Sequence, residues 1–179
     1  VKTGETPNTW DIIASTAVPT LSFVLQRGAV LNINEFGATT ASADNQSVLN
    51  RVLTFKGQIT GKAGTYLTTT LSVLSDTTLY GAKSLIFKLP DTSNVDLLDV
   101  GANTKVTLRG FTLDGNKANQ TVDFDAVNVR GDGCADVLID DVDNINSTLT
   151  GINIRNDVRT KIRDGLIQDA DAIAENNLS

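Results

Sequence analysis

The central part of the chain alternates apolar and polar residues over stretches of three to five positions. Val, Ile, Leu and Thr fill these stretches, and clusters of Gly, Asn and Asp separate them. Alternation with a period of two is typical of β-strands, whereas an amphipathic helix repeats about every 3.6 residues. One pair of stretches recurs three times, at residues 98–100 with 106–110, 127–129 with 137–141, and 152–154 with 161–164, after a weaker copy at 71–73 with 78–81. The sequence therefore predicts a repeated unit of two short strands.

Equivalent residues of successive copies lie 23 to 31 positions apart. Self-similarity at roughly 20 to 50 residues is typical of solenoids and arrays, in which a unit buries its apolar face only when a neighbour stacks on it. A β-sandwich also has strands at short intervals. A sandwich does not require the same pair of strands to recur, so the repeat favours a parallel β-helix. Four or five coils fit between residues 57 and 170.

Stacking the copies in register, with about 4.8 Å between neighbouring strands, sorts the side chains into columns. Two inward columns are expected, one of Leu98, Val127 and Ile152 and one of Val100, Val129 and Ile154. An outward column of Asp99, Asn128 and Asn153 would then lie between them. In the second strand of each copy, Arg109, Asp140 and Arg163 form an outward column of alternating charge. These three follow the apolar Leu108, Ile139 and Ile162.

A helix is predicted ahead of the repeats, at residues 42–54. Val48, Leu49, Val52 and Leu53 give it one apolar face, and Ser42 or Asp44 can cap its N-terminus. An amphipathic helix at this place would cover the open end of the strand stack, whose unpaired backbone groups otherwise recruit other chains. The predicted organisation is an N-terminal extension towards an upstream domain or partner (1–29), a strand and capping helix (30–56), coils (57–170) and a C-terminal tail (171–179). We expect residues 169–176 to form a short helix or a frayed end, and the chain to be part of a longer protein.

Composition excludes several classes of function. A hydrophobic share of 40% and a charged share of 20% are those of a soluble globular protein. The formal net charge of -6, without a basic run, argues against a nucleic-acid partner. No apolar run reaches the roughly 20 residues needed to enter and cross a bilayer. Cys134 is the only cysteine, and since the chain has no histidine to activate it, we expect a buried core residue.

Four segments together carry a resemblance to a known family. They are Ile-Asn-Glu-Phe-Gly-Ala at 33–38, Gly-Lys-Ala-Gly-Thr-Tyr-Leu at 61–67, the weak copy at 71–81, and Val-Thr-Leu-Arg-Gly-Phe-Thr-Leu-Asp-Gly at 106–115. The set resembles the pectate-lyase-like superfamily, and most of all the tailspikes and capsule depolymerases of bacteriophages. The resemblance implies an all-β, right-handed parallel β-helix with an N-terminal capping helix. It also implies a homotrimer on the virion, attached to an upstream domain or tail protein, that binds or cleaves a bacterial surface polysaccharide.

The sequence departs from this family at two places. Residues 39–45 read Thr-Thr-Ala-Ser-Ala-Asp-Asn where the family usually has a Gly-Asp-Gly run and paired aspartates. The polygalacturonase-like enzymes carry a Gly-His-Gly motif, and this chain has no histidine. Polygalacturonase chemistry is therefore not expected within this chain.

Candidate chemistry rests on carboxylates. Glycoside hydrolysis needs a carboxylic acid and a second carboxylate about 5 to 9.5 Å apart, which neighbouring coils can supply. The catalytic candidates are Asp114, Asp140 and Asp141, and the substrate-binding candidates are Arg109, Asp125 and Arg163. Asp is also a common turn residue, and the Arg/Asp column can be a plain surface ion ladder worth about 0.2 to 1 kcal/mol per pair. No cofactor or metal site is predicted.

Three functions stay open at this point. The first is a phage tailspike fragment that recognises a host glycan. The second is a secreted bacterial polysaccharide lyase or hydrolase, and the third is a non-catalytic adhesin or scaffold; both are extracellular. The sequence does not separate an enzyme from a binding module.

Overall fold

The computed structural model describes the backbone of residues 2–3, 12–14, 21–24, 30–121, 128–168 and 172–176, and the side chains of residues 30–121 and 128–168. At the N-terminus, strands β1 (Lys2–Thr3), β2 (Ile12–Ala14) and β3 (Leu21–Val24) form an antiparallel sheet with β3 in the middle. The role of residues 1–29 as a connection to an upstream domain or partner stays a prediction.

The rest of the described chain is dominated by short strands that pair in parallel. They are β4 (Leu31–Asn32), β5 (Gly57–Thr60), β6 (Gly64–Leu67), β7 (Leu71–Ser72), β8 (Thr77–Tyr80), β9 (Leu85–Lys88), β10 (Leu98–Gly101), β11 (Thr104–Arg109), β12 (Thr112–Asp114), β13 (Val129–Asp132), β14 (Ala135–Asp140), β15 (Asp143–Ile145), β16 (Thr150–Arg155), β17 (Lys161–Arg163), β18 (Ile167–Gln168) and β19 (Ala172–Asn176). Helix α1 spans Gln46–Leu53, and two 3₁₀ turns span Ile33–Phe36 and Lys117–Asn119.

These strands form three sheets that run along the stack. Sheet 1 contains β7, β10, β13, β16 and β19; sheet 2 contains β4, β5, β8, β11, β14 and β17; sheet 3 contains β6, β9, β12, β15 and β18. The chain visits sheets 1, 2 and 3 in turn, so each coil has three strands. Among the described residues, four complete coils (β7–β9, β10–β12, β13–β15, β16–β18) follow a shorter first turn of β5 and β6. The predicted parallel β-helix is confirmed.

The sequence predicts two strands per repeat, and this number is wrong because sheet 3 was missed. The inward position of sheet 3 changes from coil to coil, through Tyr66, Phe87, Leu113 and Asn144. Its strands include Thr-Leu-Asp and Asp-Asn-Ile, and Asp and Asn are depleted in strands. A strand without a repeated apolar pattern gives no periodic signal, so only the pairing across coils reveals it.

The core is a narrow column of side chains enclosed by the three sheets. In sheet 2, Leu79, Leu108 and Ile139 stack in register and are at most 2% exposed. Ile162 continues this column by aligning with Ile139, and it is partly buried against the core. The ring of Phe87 in sheet 3 meets that of Phe111, which precedes β12, edge to face with 5.6 Å between centroids.

The register of sheet 1 differs from the prediction by two residues. Val129, and not Val127, aligns with Leu98 on one side and Ile152 on the other. Both valines fit the same alternating pattern. The spacing between copies varies along the sequence, so it does not show which valine aligns with Leu98. Val127 itself lies outside the described residues.

The outward column of sheet 1 changes accordingly. Asp99 is followed by Arg130 and then Asn153, and not by Asn128. Asn128 is only 1% exposed and donates its Nδ2 hydrogens to the carbonyl oxygens of Leu113 and Ile145. The predicted outward column of Asp99, Asn128 and Asn153 is therefore wrong at Asn128, because its side chain turns inward and bonds the backbone of sheet 3.

Helix α1 confirms the predicted capping helix within shorter bounds. Its buried residues are Leu49, Val52 and Leu53, and Asp44 Oδ1 accepts a hydrogen bond from the Gln46 amide at 2.8 Å. Asn45 belongs by sequence to the polar outer face, but it is 1% exposed. Its Nδ2 donates to the carbonyl oxygen of Leu67, at the start of sheet 3.

Asn50 forms hydrogen bonds with the backbone at the first strand of sheet 1. Its Nδ2 donates to the Thr70 carbonyl at 3.0 Å, and its Oδ1 accepts from the Ser72 amide at 2.8 Å. Gln46 Nε2 donates to the same Thr70 carbonyl at 3.2 Å. The amide of Asn50 thus supplies one donor and one acceptor to strand β7, as a neighbouring strand would. An edge occupied in this way cannot recruit another chain.

The corner between sheets 1 and 2 carries a second charge ladder. Each coil turns there at a residue with positive φ, and the residues are Lys56, Asp76, Lys105, Asp136 and Arg159. The strand register stacks them in one column of alternating sign. Arg159 Nε lies 2.6 Å from Asp136 Oδ1, and this hydrogen bond holds the pKa of Asp136 below its ordinary 3.8. Residues of this column on adjacent coils therefore have opposite charges and attract. If a coil paired out of order with the next coil but one, like charges would meet.

The end of the chain differs from the prediction. Residues 169–176 contain strand β19, which pairs in parallel with β16 and aligns Ile173 with Ile152. The expected helix is wrong because strand pairing with the preceding coil outweighs the high intrinsic helix propensity of the alanines. Cys134 is buried as expected, and burial raises the pKa of its thiol. Within the described residues, no helix has the length and apolar character needed to span a membrane.

We predict that Asn50→Ala lowers the free energy of unfolding by about 1 kcal/mol. The variant loses two hydrogen bonds worth about 0.5–1.5 kcal/mol each and regains about 0.6 kcal/mol of helix propensity. Urea denaturation measures the change, with Arg51→Ala on the exposed side of the same helix as the matched control. Equal stability of the two variants would show that Asn50 does not stabilise the edge of β7.

Candidate functional site

An open groove of about 590 Å³ lies on the outer face of sheet 2. Its lining residues come from strands β5, β8 and β11 and from the turns that follow β8, β11 and β14; they are Gln58, Thr78, Tyr80, Gly81, Ala82, Lys83, Thr107, Arg109, Gly110 and Asp141. Because residues alternate between core and surface along each strand, burial of Leu79 and Leu108 turns their neighbours outward. The groove is therefore positioned by the core.

Two outward columns form the strand side of the groove. Gln58, Thr78 and Thr107 align in the first column. Tyr80 and Arg109 align in the second. The first column offers an amide and two hydroxyl groups, and the second offers an aromatic ring and a guanidinium. Hydroxyl groups both donate and accept, and the guanidinium donates through a rigid planar fork.

The predicted column of Arg109, Asp140 and Arg163 is confirmed as an alignment. Arg109 Nε lies 3.4 Å from Asp140 Oδ2, and Arg163 Nη2 lies 3.5 Å from the same oxygen. The Asp140 side chain is 15% exposed, while those of Arg109 and Arg163 are 66% and 55% exposed. One carboxylate thus sits between two guanidinium groups that face solvent.

Lys83 forms a second charged cluster at the edge of the groove. Its Nζ lies 2.6 Å from Asp143 Oδ1 and 2.9 Å from Asp141 Oδ1, and it also donates to the Asp141 carbonyl. Burial lowers the pKa of Lys83, but hydrogen bonds and attraction from Asp143 and Asp141 outweigh it, so the pKa lies above the ordinary 10.5. These contacts stabilise the protonated form of Lys83 at the edge of the groove.

Gly81 and Gly110 lie in two successive turns that line the groove. Gly110 has φ +76°, and a Cβ added to it would lie 2.5 Å from the Gly81 carbonyl oxygen. Asp141 takes the same turn position one coil further on, also with positive φ (54°). Glycine at 110 permits close stacking of the two turns, and the larger residue at 141 brings a carboxylate to the end of the groove.

Not all of the predicted site residues meet at this groove. Asp114 lies at the end of β12 in sheet 3 and is 8% exposed. Its Oδ1 accepts from the Asn116 amide and from Asn146 Nδ2, each at 2.9 Å, and Lys88 Nζ lies 3.4 Å from its Oδ2. This placement favours a structural role. Asp125 lies outside the described residues.

The structure therefore brings Asp141 and Arg109 to the groove, with Asp140 and Arg163 beside them, and the catalytic and binding roles of these residues stay predictions. Tyr80 was missed, although it precedes Gly81 in the weak copy as Arg109 precedes Gly110. Aligning the copies on these glycines would have found it. Lys83 had no such signal, because its contact with Asp143 joins residues 60 positions apart.

No protein-family model matches this sequence, and a search of curated proteins found no match. Solved structures do share the fold. A "putative glycosyl hydrolase" from Parabacteroides merdae superposes with a TM-score of 0.73 at 14% identity, over 81% of this chain and 79% of that one. ORF18 of Geobacillus virus E2 gives 0.63 at 17% identity, over 74% of this chain and 29% of that one.

PfbA, a surface adhesin of Streptococcus pneumoniae, gives a TM-score of 0.53 at 13% identity, over 72% of this chain and 38% of that one. The chain thus spans less than two fifths of the viral protein and of the adhesin. Identities this low establish the common architecture, the parallel β-helix, and leave the activity of this chain to be inferred from its own residues.

We predict that Gly110→Ala destabilises the protein far more than Gly133→Ala. Both glycines have nearly the same positive φ, +76° and +72°, so both substitutions carry the backbone cost of about 1–2 kcal/mol. Only at Gly110 does the new Cβ meet a backbone oxygen, whereas the nearest atom at Gly133 is 3.9 Å away. Thermal and urea unfolding of the two variants measure the difference. Equal losses would show that the turns at Gly81 and Gly110 can move apart freely.

Proposed function

We propose that this chain is a glycan-binding β-helix module, and that its groove on sheet 2 binds a bacterial surface polysaccharide. One observation carries the proposal. The groove combines an aromatic side chain, two hydroxyls, an amide and a guanidinium on the outer face of a rigid sheet. A concave site with a few convergent polar groups is the usual form of a ligand site.

The chemistry of a sugar suits this set of groups. A pyranose has an apolar face, which packs on a ring such as that of Tyr80, and a rim of hydroxyls, which exchange hydrogen bonds with Thr78, Thr107 and Arg109. Adjacent strands lie about 4.8 Å apart, which is close to the length of one sugar ring. A glycan running along the stack would therefore meet an equivalent position on each coil.

We propose that the module is part of a bacteriophage tailspike. The resemblance of residues 30–170 to tailspikes and capsule depolymerases supports this placement, and so does the shared fold with a viral open reading frame that is much longer than this chain. In that setting the module acts on the virion during host attachment, next to an upstream tail domain.

A second candidate is a secreted polysaccharide-degrading enzyme. The fold match to the Parabacteroides merdae protein extends over most of that chain, which favours this candidate. Asp140 and Asp141 would then be the carboxylates nearest the bound glycan. Release of reducing ends or of unsaturated sugars from a bound polysaccharide separates a depolymerase from a pure binder.

The binding prediction is tested by isothermal titration calorimetry with oligosaccharides cut from bacterial capsules and lipopolysaccharides. Arg109→Ala should weaken binding about 10- to 100-fold, because hydrogen bonds to a charged group contribute about 1.5–3 kcal/mol. Arg155→Ala is the matched control, since Arg155 is an exposed arginine at the end of a strand in sheet 1. If both variants bind like the wild type, the groove is not the binding site.

We also predict that the native protein is a homotrimer, as the resemblance to tailspikes implies. Light scattering after size exclusion should give three times the 19.0 kDa of one chain. A monomer across the micromolar range would favour the free-standing enzyme or adhesin over the tailspike.

A further inference from the structure

We propose that Arg109 and Arg163 form a carboxylate subsite beside the groove, so that the glycan bound on sheet 2 carries an acidic sugar at this place. This inference rests on the proposed function, that sheet 2 binds a glycan, and names the class of glycan. The observation behind it is that one carboxylate of the chain holds the two guanidinium groups together and yet leaves their N–H donors free.

Asp140 brings the two arginines to one point. The outward column of Tyr80, Arg109, Asp140 and Arg163 runs from the groove along sheet 2. Arg109 and Arg163 are two coils apart, but both approach Oδ2 of Asp140, at 3.4 Å and 3.5 Å. The Asp140 side chain is 15% exposed, whereas those of Arg109 and Arg163 are 66% and 55% exposed. A ligand therefore meets two guanidinium groups and little of the carboxylate between them.

The free donors of this pair distinguish it from a saturated ion pair such as that of Arg159. Arg159 donates two short hydrogen bonds, of 2.6 Å and 2.7 Å, to the two carboxylate oxygens of Asp136. Within the described part of the chain, the guanidinium groups of Arg109 and Arg163 form ion pairs with Asp140 but no hydrogen bond. A guanidinium with unused donors can bind a ligand carboxylate through two parallel N–H bonds.

Sheet 2 has a local positive charge in an acidic chain. Apart from the corner ladder, its strands contain four charged residues, which are Arg109, Asp140, Lys161 and Arg163. Three of the four are cations, although the formal net charge of the chain is -6. Lys161 is exposed and forms no ion pair with any described residue. A local charge of this sign attracts an anionic ligand to this face and to no equivalent position on an acidic surface.

The carboxylates of the neighbouring turns leave the arginine donors free. Asp141 Oδ1 lies 2.9 Å from Lys83 Nζ, and Asp143 Oδ1 lies 2.6 Å from it. Lys83 also donates to the Asp141 carbonyl, so its three N–H groups are occupied and it is not a rival anion site. Asp164 follows Arg163 at an exposed turn, and no ion pair joins the two among the described residues.

The order of the column also orders the ligand. Tyr80 lies one coil before Arg109, at a spacing of about 4.8 Å between strands. A sugar ring packed on Tyr80 places the following units of a glycan that runs along the stack at Arg109 and then towards Arg163. The expected ligand therefore has an uncharged face for Tyr80 and a carboxylate on the sugar that follows it.

The test uses isothermal titration calorimetry with uronate-containing capsular oligosaccharides and with the same oligosaccharides after reduction of their carboxyl groups. The two ligands share every other hydroxyl group. The wild type should bind the uronate form about 10- to 100-fold more tightly, because hydrogen bonds to charged groups contribute about 1.5–3 kcal/mol. This preference should shrink as the salt concentration rises.

Four variants locate the preference. Arg163→Gln should lower it about tenfold, and Arg163→Lys, which keeps the charge without the planar fork, should lower it in part even if Arg163→Gln fails to fold. Tyr80→Ala should weaken both ligands alike and leave the preference unchanged. Arg159→Gln is the matched control, because it removes an exposed arginine that Asp136 already saturates. It should bind like the wild type.

The outcomes separate this inference from the proposed function. Equal binding of the two ligands by the wild type, or tighter binding of the reduced form, would overturn the carboxylate subsite while leaving glycan binding intact. A preference that persists in the folded Arg163 variants as it does in Arg159→Gln would overturn the role of Arg163. Absence of binding to both ligands would overturn the proposed function, and this inference with it.

Discussion

Parallel pairing of each strand with its copy in the next coil is the interaction on which the whole structure depends. Every backbone donor and acceptor that faces along the stack must find a partner on the neighbouring coil. The inward columns fix which residues meet, because a shift by one position would turn the apolar set out to solvent. In sheet 2, stacking of Leu79, Leu108 and Ile139 decides this register. The surface columns, and with them the groove, follow from it.

A stack of this kind needs a closed end and a defined neighbour for each coil. Helix α1 closes the N-terminal end, and Asn50 and Asn45 supply from side chains the hydrogen bonds that a further strand would supply. The corner ladder from Lys56 to Arg159 adds a preference for the native neighbour, because charges alternate from one coil to the next. Each exposed pair is weak, and the value of the ladder is in specificity more than in stability.

The sequence predicted sheet 2 well because apolar and charged residues recur there at a fixed offset. Leu108 with Arg109 and Ile139 with Asp140 have the same order in successive coils. Sheet 1 was predicted with a shifted register, since Val127 and Val129 are equivalent in pattern and the preceding loop is long. Sheet 3 was not predicted at all. Its inward residue changes from aromatic to aliphatic to amide, so that packing across coils, and not repetition, specifies it.

The residues of the candidate site likewise differ in how well the sequence predicts them. Residues in a repeated column could be found from the sequence, as Arg109, Asp140 and Arg163 were. Lys83 could not, because a turn brings it to Asp143 from two coils away.

The three-sheet arrangement also explains why the groove lies on sheet 2. On sheet 3 the outward residues Thr112 and Asp114 are 6% and 8% exposed, because Lys83, Asn116 and Asn146 bond to them from the turns. Their polar groups are occupied and shielded, so these two side chains have little left to offer a ligand. On sheet 2 the turns leave Thr78, Tyr80, Thr107 and Arg109 accessible. The same turns carry Lys83 and Asp141, so they contribute both shape and charge to the groove.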